Sequence, residues 1–431
     1  MIGARRPRSI LGLSALVALG GCRCSKGDAD GTQADAGVET QPSGSPSASD
    51  ARGWSAPIAA AHAGGGEVLV AGLDVPSRAI RMRRVGANDA VVSERAVLED
   101  IKWSNDADLK VVASPNGAAV TWRGLRGGKL GRALVVVGPD LAPKGPPVEV
   151  SGPSCATREG IWFTDGKRAH ARPWSGAALD VDLPREKEPS IVCGATKAFA
   201  LLEEDDGTSY MPLAKGAASV PLLREKEFGE DEQRERAEFT SGDDLGVVRV
   251  AVSGALAVRE VKDGVASALK RLRTSIPRDD DVVAVDASPK ELVIVFTEDA
   301  SDACGDKGSS TRVKALRIDR AGGDEATLDL SAGMCGREVG PFFTGPVGDA
   351  VSVAWVERVP ALGQARAPIV ALAHVLVPLA GTSASAQRLD VAADALVDAG
   401  CDAERCYAAA LERTPGTDGM VPGPVRVLRY R

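Results

Sequence analysis

ELVIVFTED, residues Glu291–Asp299, is a short segment in which five consecutive apolar or aromatic residues lie between acidic ends. Seven other segments of similar length and character occur along the chain. They are EVLVAGLD (Glu67–Asp74), GAAVTWRG (Gly117–Gly124), GIWFTDGK (Gly160–Lys167), KAFALLEED (Lys197–Asp205), GVVRVAVSG (Gly246–Gly254), AVSVAWVER (Ala350–Arg358) and CYAAALER (Cys406–Arg413). Most are rich in β-branched or aromatic residues and bounded by Gly, Asp, Pro or Ser, which is typical of buried β-strands.

The spacing of these segments indicates a repeat. Their first residues lie between 37 and 59 positions apart, about 48 on average, and one four-stranded blade of a β-propeller uses 40 to 50 residues. Several are followed by a second strand that opens with a cation and an alanine: Arg78-Ala79-Ile80, Arg132-Ala133-Leu134, Arg168-Ala169-His170 and Lys314-Ala315-Leu316. We therefore predict an all-β fold, a β-propeller of seven or eight four-stranded blades, over residues 54–431.

Two stretches fit this scheme less directly. The highly charged stretch Leu222–Phe239 has mixed signs, and we favour a solvated loop over a short exposed helix. The last segment, taken as Asp402–Arg413, is compatible with a helix because Asp402 is a good N-cap and alanine favours helix. The ring is expected to close by pairing a strand near Trp54–Ala61 with the last unit, Val425–Tyr430, which removes exposed sheet edges.

Two of the apolar segments also carry a turn motif. SPNGAAVTW (Ser114–Trp122) resembles the Ser-Pro-Asp-Gly turn and following strand of TolB-type and WD-repeat-like β-propellers, with Asn116 in place of the aspartate. SPKELVIVF (Ser288–Phe296) is a second copy that lacks both the aspartate and the glycine. The resemblance supports the propeller fold and implies nothing about partners.

The N-terminus has the features of an export signal. Arg5, Arg6 and Arg8 precede an apolar run from Ile10 to Leu19 that is too short to span a bilayer. The run ends in Leu19-Gly20-Gly21-Cys22, which resembles the lipobox of bacterial lipoproteins, where the cysteine is acylated and becomes the new N-terminus. The resemblance implies a signal peptide at 1–21, lipidation of Cys22 and, because Arg23 rather than aspartate follows, a lipid-anchored protein of the outer membrane, on its periplasmic face or at the cell surface.

The segment between Cys22 and the propeller is rich in Gly, Ser, Ala, Asp, Thr and Pro and lacks hydrophobic periodicity. Such a composition buries too little apolar surface to offset the entropy of ordering. We predict a disordered spacer over residues 22–53, with a reach on the order of 30 Å for a flexible coil.

The cysteines are consistent with an oxidising compartment. Beyond Cys22 and Cys24, six remain, and their proximity in sequence suggests one pairing out of fifteen possible. It joins Cys155 to Cys193, Cys304 to Cys335, and Cys401 to Cys406. Zinc is a poor alternative, because no Cys-x-x-Cys and no Cys/His pair with metal-ligand spacing occurs, and we expect no metal site.

The sequence shows no catalytic or cofactor motif: it lacks Gly-x-Ser-x-Gly, His-Glu-x-x-His, a phosphate-binding loop and a dinucleotide fingerprint. We expect His62, His170 and His374 to be packed or surface histidines, and no catalytic residue or cofactor is assigned. Acidic runs such as Glu203–Asp206, Asp243-Asp244 and Asp279–Asp281 are expected at strand ends or turns. Most of the six tryptophans are expected in the core.

The formal net charge is −7, and removing the signal peptide takes away three arginines. An acidic chain with no basic cluster is a poor candidate for binding nucleic acid. We expect a non-enzymatic binding or scaffold protein of the cell envelope whose partner is an envelope or extracellular protein. The alternatives are a propeller hydrolase or lyase, or a glycan- or small-ligand-binding module, acting on envelope or extracellular polysaccharide. Fold alone does not choose among them.

Overall fold

The computed structural model describes part of the chain, and every structural statement below concerns that part. It comprises residues 54–430 except for 75, 89, 103–106, 153, 185–188, 228–232, 301–303, 305–309, 360–368, 382–383, 385, 402–404 and 417–418. The predicted signal peptide, Cys22 and the predicted spacer lie outside the described residues. In the described ranges no helix is long and apolar enough to cross a membrane.

The described residues form antiparallel sheets whose strands follow one another in chain order. Blade 1 contains β1 (Trp54–Gly64), β2 (Glu67–Asp74), β3 (Ala79–Val85) and β4 (Val91–Leu98). Blade 2 contains β5 (Ile101–Lys102), β6 (Asp108–Ser114), β7 (Gly117–Arg126), β8 (Lys129–Val137) and β9 (Val148–Glu149). Blade 3 contains β10 (Ser154–Ala156), β11 (Gly160–Thr164), β12 (Arg168–Pro173) and β13 (Leu179–Asp182). Blade 4 contains β14 (Ser190–Cys193), β15 (Ala198–Glu204), β16 (Gly207–Pro212) and β17 (Val220–Arg224).

The second half of the ring is built in the same way. A 3-10 turn at Glu225–Glu227 leads towards blade 5, with β18 (Gln233–Ser241), β19 (Asp244–Ala251), β20 (Ala255–Lys262), β21 (Val265–Ala266) and β22 (Lys270–Ser275). Blade 6 contains β23 (Asp281–Ala287), β24 (Glu291–Asp299), β25 (Ser310–Asp319), β26 (Glu325–Asp329) and β27 (Met334–Cys335). Blades 7 and 8 share one sheet of β28 (Glu338–Val347), β29 (Ala350–Arg358), β30 (Ile369–Leu376), β31 (Gln387–Cys401), β32 (Cys406–Gly416) and β33 (Gly419–Tyr430).

The long strand β31 belongs to two blades. Its first residues pair with β30, as Gln387 does with His374, and so form the outermost strand of blade 7. From Ala393 to Cys401 it pairs with β32 and becomes the innermost strand of blade 8. That part lies between the innermost strands of blades 7 and 1, β28 and β1. The chain is thus an all-β propeller of eight blades, as the sequence predicts, with three strands described for the eighth.

The eight apolar segments are the second strands of the eight blades, from β2 in blade 1 to β32 in blade 8. A second strand has hydrogen-bonded neighbours on both sides and a blade packed against each face, so almost no position along it meets water. All nine residues of β29, for example, are buried. This double burial explains why these strands appear in the sequence as continuous apolar runs. The four predicted cation-alanine openings lie at the start of, or within, third strands: β3, β8, β12 and β25.

Eight hydrophobic clusters in the described part of the chain fill the eight junctions between blades. The junction of blades 4 and 5 joins Phe199 and Leu201 of β15 to Leu245 and Val247 of β19. The alternate residues of the same strand, such as Ala200, point to the junction with blade 3. Each strand therefore supplies two neighbouring cores at a period of two residues. Each hydrophobic core among the described residues lies between two blades, so one blade alone cannot form it.

Ring closure differs from the sequence expectation. Strand β1 does not pair with the last unit; it pairs with β2 from Trp54↔Asp74 to Gly64↔Glu67 as the innermost strand of its own blade. Blades 8 and 1 are joined instead by side chains, with Tyr407 and Ala409 packed against Val68 and Val70. The prediction was wrong because β1 forms a complete ladder with the adjacent β2, which leaves no strand to be exchanged.

In the two remaining segments, the described residues are mostly strand. Leu222–Phe239 contributes the end of β17, the 3-10 turn and most of β18, with Phe239 buried at the junction of blades 5 and 6. The favoured solvated loop is therefore wrong for Gln233–Phe239, and residues 228–232 lie outside the described residues. At the last segment, β32 begins at Cys406, and Ala408 and Ala410 pack against blade 7. Small side chains in a tight junction outweigh the helix propensity of alanine.

Turns between the first and second strands clasp neighbouring blades. Asp243 in blade 5 accepts hydrogen bonds from the backbone N–H of Thr196 (2.5 Å) and Lys197 (3.0 Å) in blade 4, and from the Thr196 hydroxyl (2.6 Å). In the two turns that resemble TolB-type motifs, Asn116 donates to the carbonyl oxygen of Arg158 (3.2 Å) and Ser288 to that of Asp349 (2.5 Å). The motif thus marks contacts between adjacent blades.

The three disulfides suggested by the sequence are present. Cys155–Cys193 joins β10 to β14, the innermost strands of blades 3 and 4, with a Cα–Cα distance of 5.7 Å. Cys304–Cys335 lies within blade 6 and Cys401–Cys406 within the first hairpin of blade 8. The innermost strands β10 and β14 have only three and four residues. The first disulfide therefore reinforces the junction where the innermost strands are shortest.

We predict that replacing Cys155 and Cys193 by serine lowers the free energy of unfolding by about 2–4 kcal/mol, because the closed loop of 38 residues restricts the unfolded chain. The matched control replaces Cys401 and Cys406, whose separation is 5 residues, and is expected to cost less. Urea titration followed by circular dichroism measures both. An equal or smaller loss for the Cys155/Cys193 variant would contradict the assignment.

Candidate functional site

The three histidines are held by neighbouring groups. His374 is 2% exposed and packs on the Tyr430 ring, with centroids 4.6 Å apart. His62 Nδ1 accepts a hydrogen bond from the Gly64 N–H. These positions agree with the expectation of packed or surface histidines.

His170 lies between two carboxylates, with Nε2 3.1 Å from Asp165 and Nδ1 2.9 Å from Asp180. Two backbone N–H groups and His170 hold the pKa of Asp165 at about 2, although partial burial acts in the opposite direction. Hydrogen bonds from His170 and Arg172 likewise lower the pKa of Asp180. The described residues contain no group of three or more His, Cys, Asp or Glu side chains placed to hold a metal ion.

A pocket of about 610 Å³ opens at the junction of blades 6 and 7. Its volume lies within the range of sites for small molecules. It occupies one end of the hydrophobic cluster between these blades, where the apolar core gives way to charged side chains. The lining residues are Arg312, Asp329, Leu330, Ser331, Ala332, Trp355, Glu357, Ala384, Ala386 and Arg388. This mixture of a buried aromatic ring, an alanine wall and paired charges makes it the candidate functional site.

Trp355 forms the aromatic wall of the pocket. It is fully buried on β29, yet its indole N–H has no hydrogen-bond partner. Trp122 is the sixth residue of β7, as Trp355 is of β29, and its indole N–H is also unpartnered. Packing is therefore the shared role of the two rings. Trp355 differs in that it also lines a pocket.

Glu357 is a buried carboxylate at the floor of the same pocket. It is 0% exposed and lies 2.6 Å from Arg337 Nη1 and 3.2 Å from Arg388 Nε, with Arg388 Nη2 as a further partner. The three charged groups come from β29, from the residue before β28 and from β31, so they tie the second strand of blade 7 to its first and fourth strands.

The repeat shows that the fold itself does not need a charge at this position. Glu357 is the eighth residue of β29, and the eighth residue of β7 is Gly124, which accommodates the Trp122 ring. In blade 6 the equivalent Glu298 is partly exposed, with 30% of its side chain accessible. Glu357 is buried although Arg337 and Arg388 stay 32% and 41% exposed, and burying a carboxylate carries a desolvation cost. A buried charge at one position of one blade, beside a pocket, therefore points to function.

The residues of blade 6 that line the pocket have polar groups whose hydrogen-bonding or ion-pairing capacity is only partly used. Arg312 Nη1 donates to Glu298 (3.0 Å), and its Nε and Nη2 make no hydrogen bond in the described part of the chain. Asp329 is 65% exposed, and its nearest cation is Lys314, at 3.8 Å. The Ser331 Oγ accepts from the Val313 N–H (2.9 Å), which leaves its own hydroxyl proton available to a ligand.

The opposite end of this junction contains two further unusual carboxyl groups. Glu291, only 1% exposed, accepts a hydrogen bond from the Val351 N–H of blade 7 (2.7 Å), and burial raises its pKa to about 7. Burial also raises the pKa of Asp286 on β23 to about 6. Blades 6 and 7 are thus joined by a carboxyl that favours its neutral form, whereas the pocket lies at the charged end.

Sequence reasoning missed this pocket. The expectation that acidic runs lie at strand ends or turns is confirmed, but several of these groups are not simply solvated. Asp243 clasps two blades, and Asp280, at 5% exposure, has one carboxylate oxygen without a partner. The only signal for Glu357 was an acidic residue two positions after a tryptophan in an apolar strand. Three tryptophans, Trp122, Trp162 and Trp355, are buried as expected.

No protein-family model and no curated protein matches this chain. Among solved structures it is similar to the WD40 domain of SCAP from fission yeast, with 11% identity and a TM-score of 0.43 over 76% of this chain and 88% of that one. It is also similar to a post-proline cleaving enzyme from Rickettsia typhi, with 9% identity and a TM-score of 0.43 over 83% of this chain.

A third similar structure is a puromycin hydrolase, with 14% identity and a TM-score of 0.39 over 88% of this chain. The chain spans 56% and 54% of the lengths of the post-proline cleaving enzyme and the puromycin hydrolase. These similarities concern the propeller fold, and no function is taken from them.

We predict that Glu357→Gln lowers the free energy of unfolding by about 1–3 kcal/mol, because it removes the buried carboxylate that binds the partly exposed guanidiniums of Arg337 and Arg388. Glu298→Gln, at the equivalent position of blade 6, is the matched control and should cost about 0–1 kcal/mol because that carboxylate is partly solvated. Chemical denaturation measures both variants, and equal losses in the free energy of unfolding would contradict the prediction.

The raised pKa of Glu291 predicts a pH dependence of stability. The native state holds this proton more tightly than the unfolded state, so the stabilisation is complete at pH values below the ordinary pKa of 4.5 and is lost as the pH rises through the raised pKa of about 7. Glu291→Gln cannot ionise. The stability of the variant relative to the wild type should therefore increase by about 3 kcal/mol between pH 4.5 and pH 8. Parallel curves of unfolding free energy against pH would refute the assignment.

Proposed function

We propose that this protein is a lipid-anchored, extracytoplasmic binding protein of the bacterial cell envelope, with no catalytic role. The observation that carries the proposal is Leu19-Gly20-Gly21-Cys22, placed directly after three arginines and a short apolar run. Acylation of Cys22 would attach the mature chain to the outer membrane. Anchoring by two or more acyl chains is stable, whereas a single chain binds only reversibly.

Two features of the folded part support this location and role. The three disulfides are typical of proteins outside the reducing cytoplasm. The ring of eight blades presents its connecting turns at two faces on a scaffold whose blades are clasped to one another, as at Asp243 and Thr196. Binding residues are commonly placed on loops that a rigid scaffold positions.

The segment between the anchor and the propeller completes the proposal. A flexible coil over residues 22–53 would keep the propeller on the order of 30 Å from the membrane surface, which gives it access to a partner in the envelope or outside the cell. We assign the partner to the class of envelope or extracellular proteins.

The proposal predicts that Cys22→Ala releases the protein from membranes. When the full chain is expressed in a bacterium with two membranes, the wild type should sediment with the outer membrane, and mass spectrometry should find an acylated N-terminal Cys22. Cys24→Ala is the matched control, because it removes a cysteine two residues away and should keep the protein in the membrane fraction. An unmodified Cys22, or cleavage elsewhere, would refute the anchor.

A further inference from the structure

We propose that the pocket between blades 6 and 7 binds a zwitterionic small molecule, an amino acid or short peptide that carries both a carboxylate and an ammonium group. This inference deepens the proposed binding function by naming the ligand class of one site. It does not depend on the lipid anchor, and the experiment below leaves the anchor unchanged.

The donors in the pocket favour a carboxylate. The Nε and Nη2 of Arg312 form one edge of a planar guanidinium, which matches the two oxygens of a carboxylate. The hydroxyl proton of Ser331 is a second donor in the lining of the same pocket. These donors suit an anionic group with several lone pairs.

One acidic residue in the lining, Asp329, favours a ligand that carries an ammonium group. Asp329 is 65% exposed and only loosely paired, since Lys314 Nζ is 3.8 Å away and is closer, at 3.1 Å, to Glu298. A carboxylate in this state gains a shorter charge-assisted hydrogen bond from a ligand ammonium. Glu357 is not a second candidate, because Arg337 and Arg388 already occupy it.

The balance of charge and the shape of the lining limit the ligand further. The lining contains two arginines and two acidic residues, so its formal charges cancel, and a ligand with a large net charge of either sign finds no general attraction. The remaining wall is apolar and small, formed by Leu330, Ala332, Ala384 and Ala386. A volume of about 610 Å³ accommodates a short peptide with small side chains.

The test uses the full mature chain in detergent and L-alanyl-L-alanine as the probe, with binding measured by isothermal titration calorimetry. We expect a Kd on the order of 1 mM or lower. N-acetylation removes the ammonium charge and C-amidation removes the carboxylate, and each is expected to weaken binding at least about tenfold. Glucose, of similar size and without charge, should not bind.

Variants assign the two ends of the ligand. Arg312→Gln should weaken binding of the free dipeptide about tenfold and should bind the amidated peptide as the wild type does. Asp329→Asn should also weaken binding of the free dipeptide about tenfold, and it should bind the acetylated peptide as the wild type does. Arg168→Gln and Asp182→Asn remove an exposed ion pair on blade 3 and are the matched controls, with unchanged affinity expected. Thermal melting by circular dichroism confirms that each variant is folded.

Several results would overturn the inference: no heat of binding for the dipeptide at about 20 mM, equal affinity for the acetylated or amidated peptide, or unchanged affinity in the pocket variants. Because Cys22 is untouched in every arm, membrane anchoring remains intact in each of these cases. A failure of the ligand assignment is thereby distinguished from a failure of the proposed location.

Discussion

Burial of each blade's second strand between two neighbouring blades is the constraint on which the rest of this structure depends. A four-stranded sheet of this kind exposes two apolar faces, and only a blade on either side can cover both. The alternation along β15 shows how this works, because Phe199 and Leu201 face one neighbour while Ala200 and Leu202 face the other. The stability of the ring therefore comes from the contacts between neighbouring blades. The residues at one junction can differ from those at another while the four-stranded repeat stays the same.

This constraint explains why so much of the fold could be predicted from the sequence. Double burial turns each second strand into an uninterrupted apolar run, and eight such runs at a spacing near 48 residues reveal the repeat. Ring closure could not be predicted in the same way, since it depends on whether β1 pairs with β2 or with β33. Local pairing prevails because the turn after Gly64 brings β1 directly against β2. The conformation of β32 could not be predicted either, because the packing of Ala408 against blade 7 outweighs the helix propensity of alanine.

The candidate site was beyond sequence reasoning because its chemistry arises from burial and from distant residues. Glu357 appears in the sequence as an acidic residue at a strand end, like Asp74 or Glu298, and only the structure shows that it is fully enclosed by Arg337 and Arg388. Likewise, Glu291 stands where the related turn motif has glycine, and its effect on blade 7 becomes visible only through its bond to Val351. The disulfides are the exception, because the paired cysteines are close in the sequence.

The shared strand β31 has a consequence for how the ring could open. A continuous backbone ladder runs from β28 to β33, so blades 7 and 8 cannot separate without breaking strand pairing. Between blades 8 and 1, by contrast, the described contacts are side-chain packing around Tyr407 and hydrogen bonds from Arg429 to the carbonyl oxygens of Gly86 and Ala87. Separating blades 8 and 1 would therefore break side-chain contacts and these hydrogen bonds, whereas separating blades 7 and 8 would also break a backbone ladder.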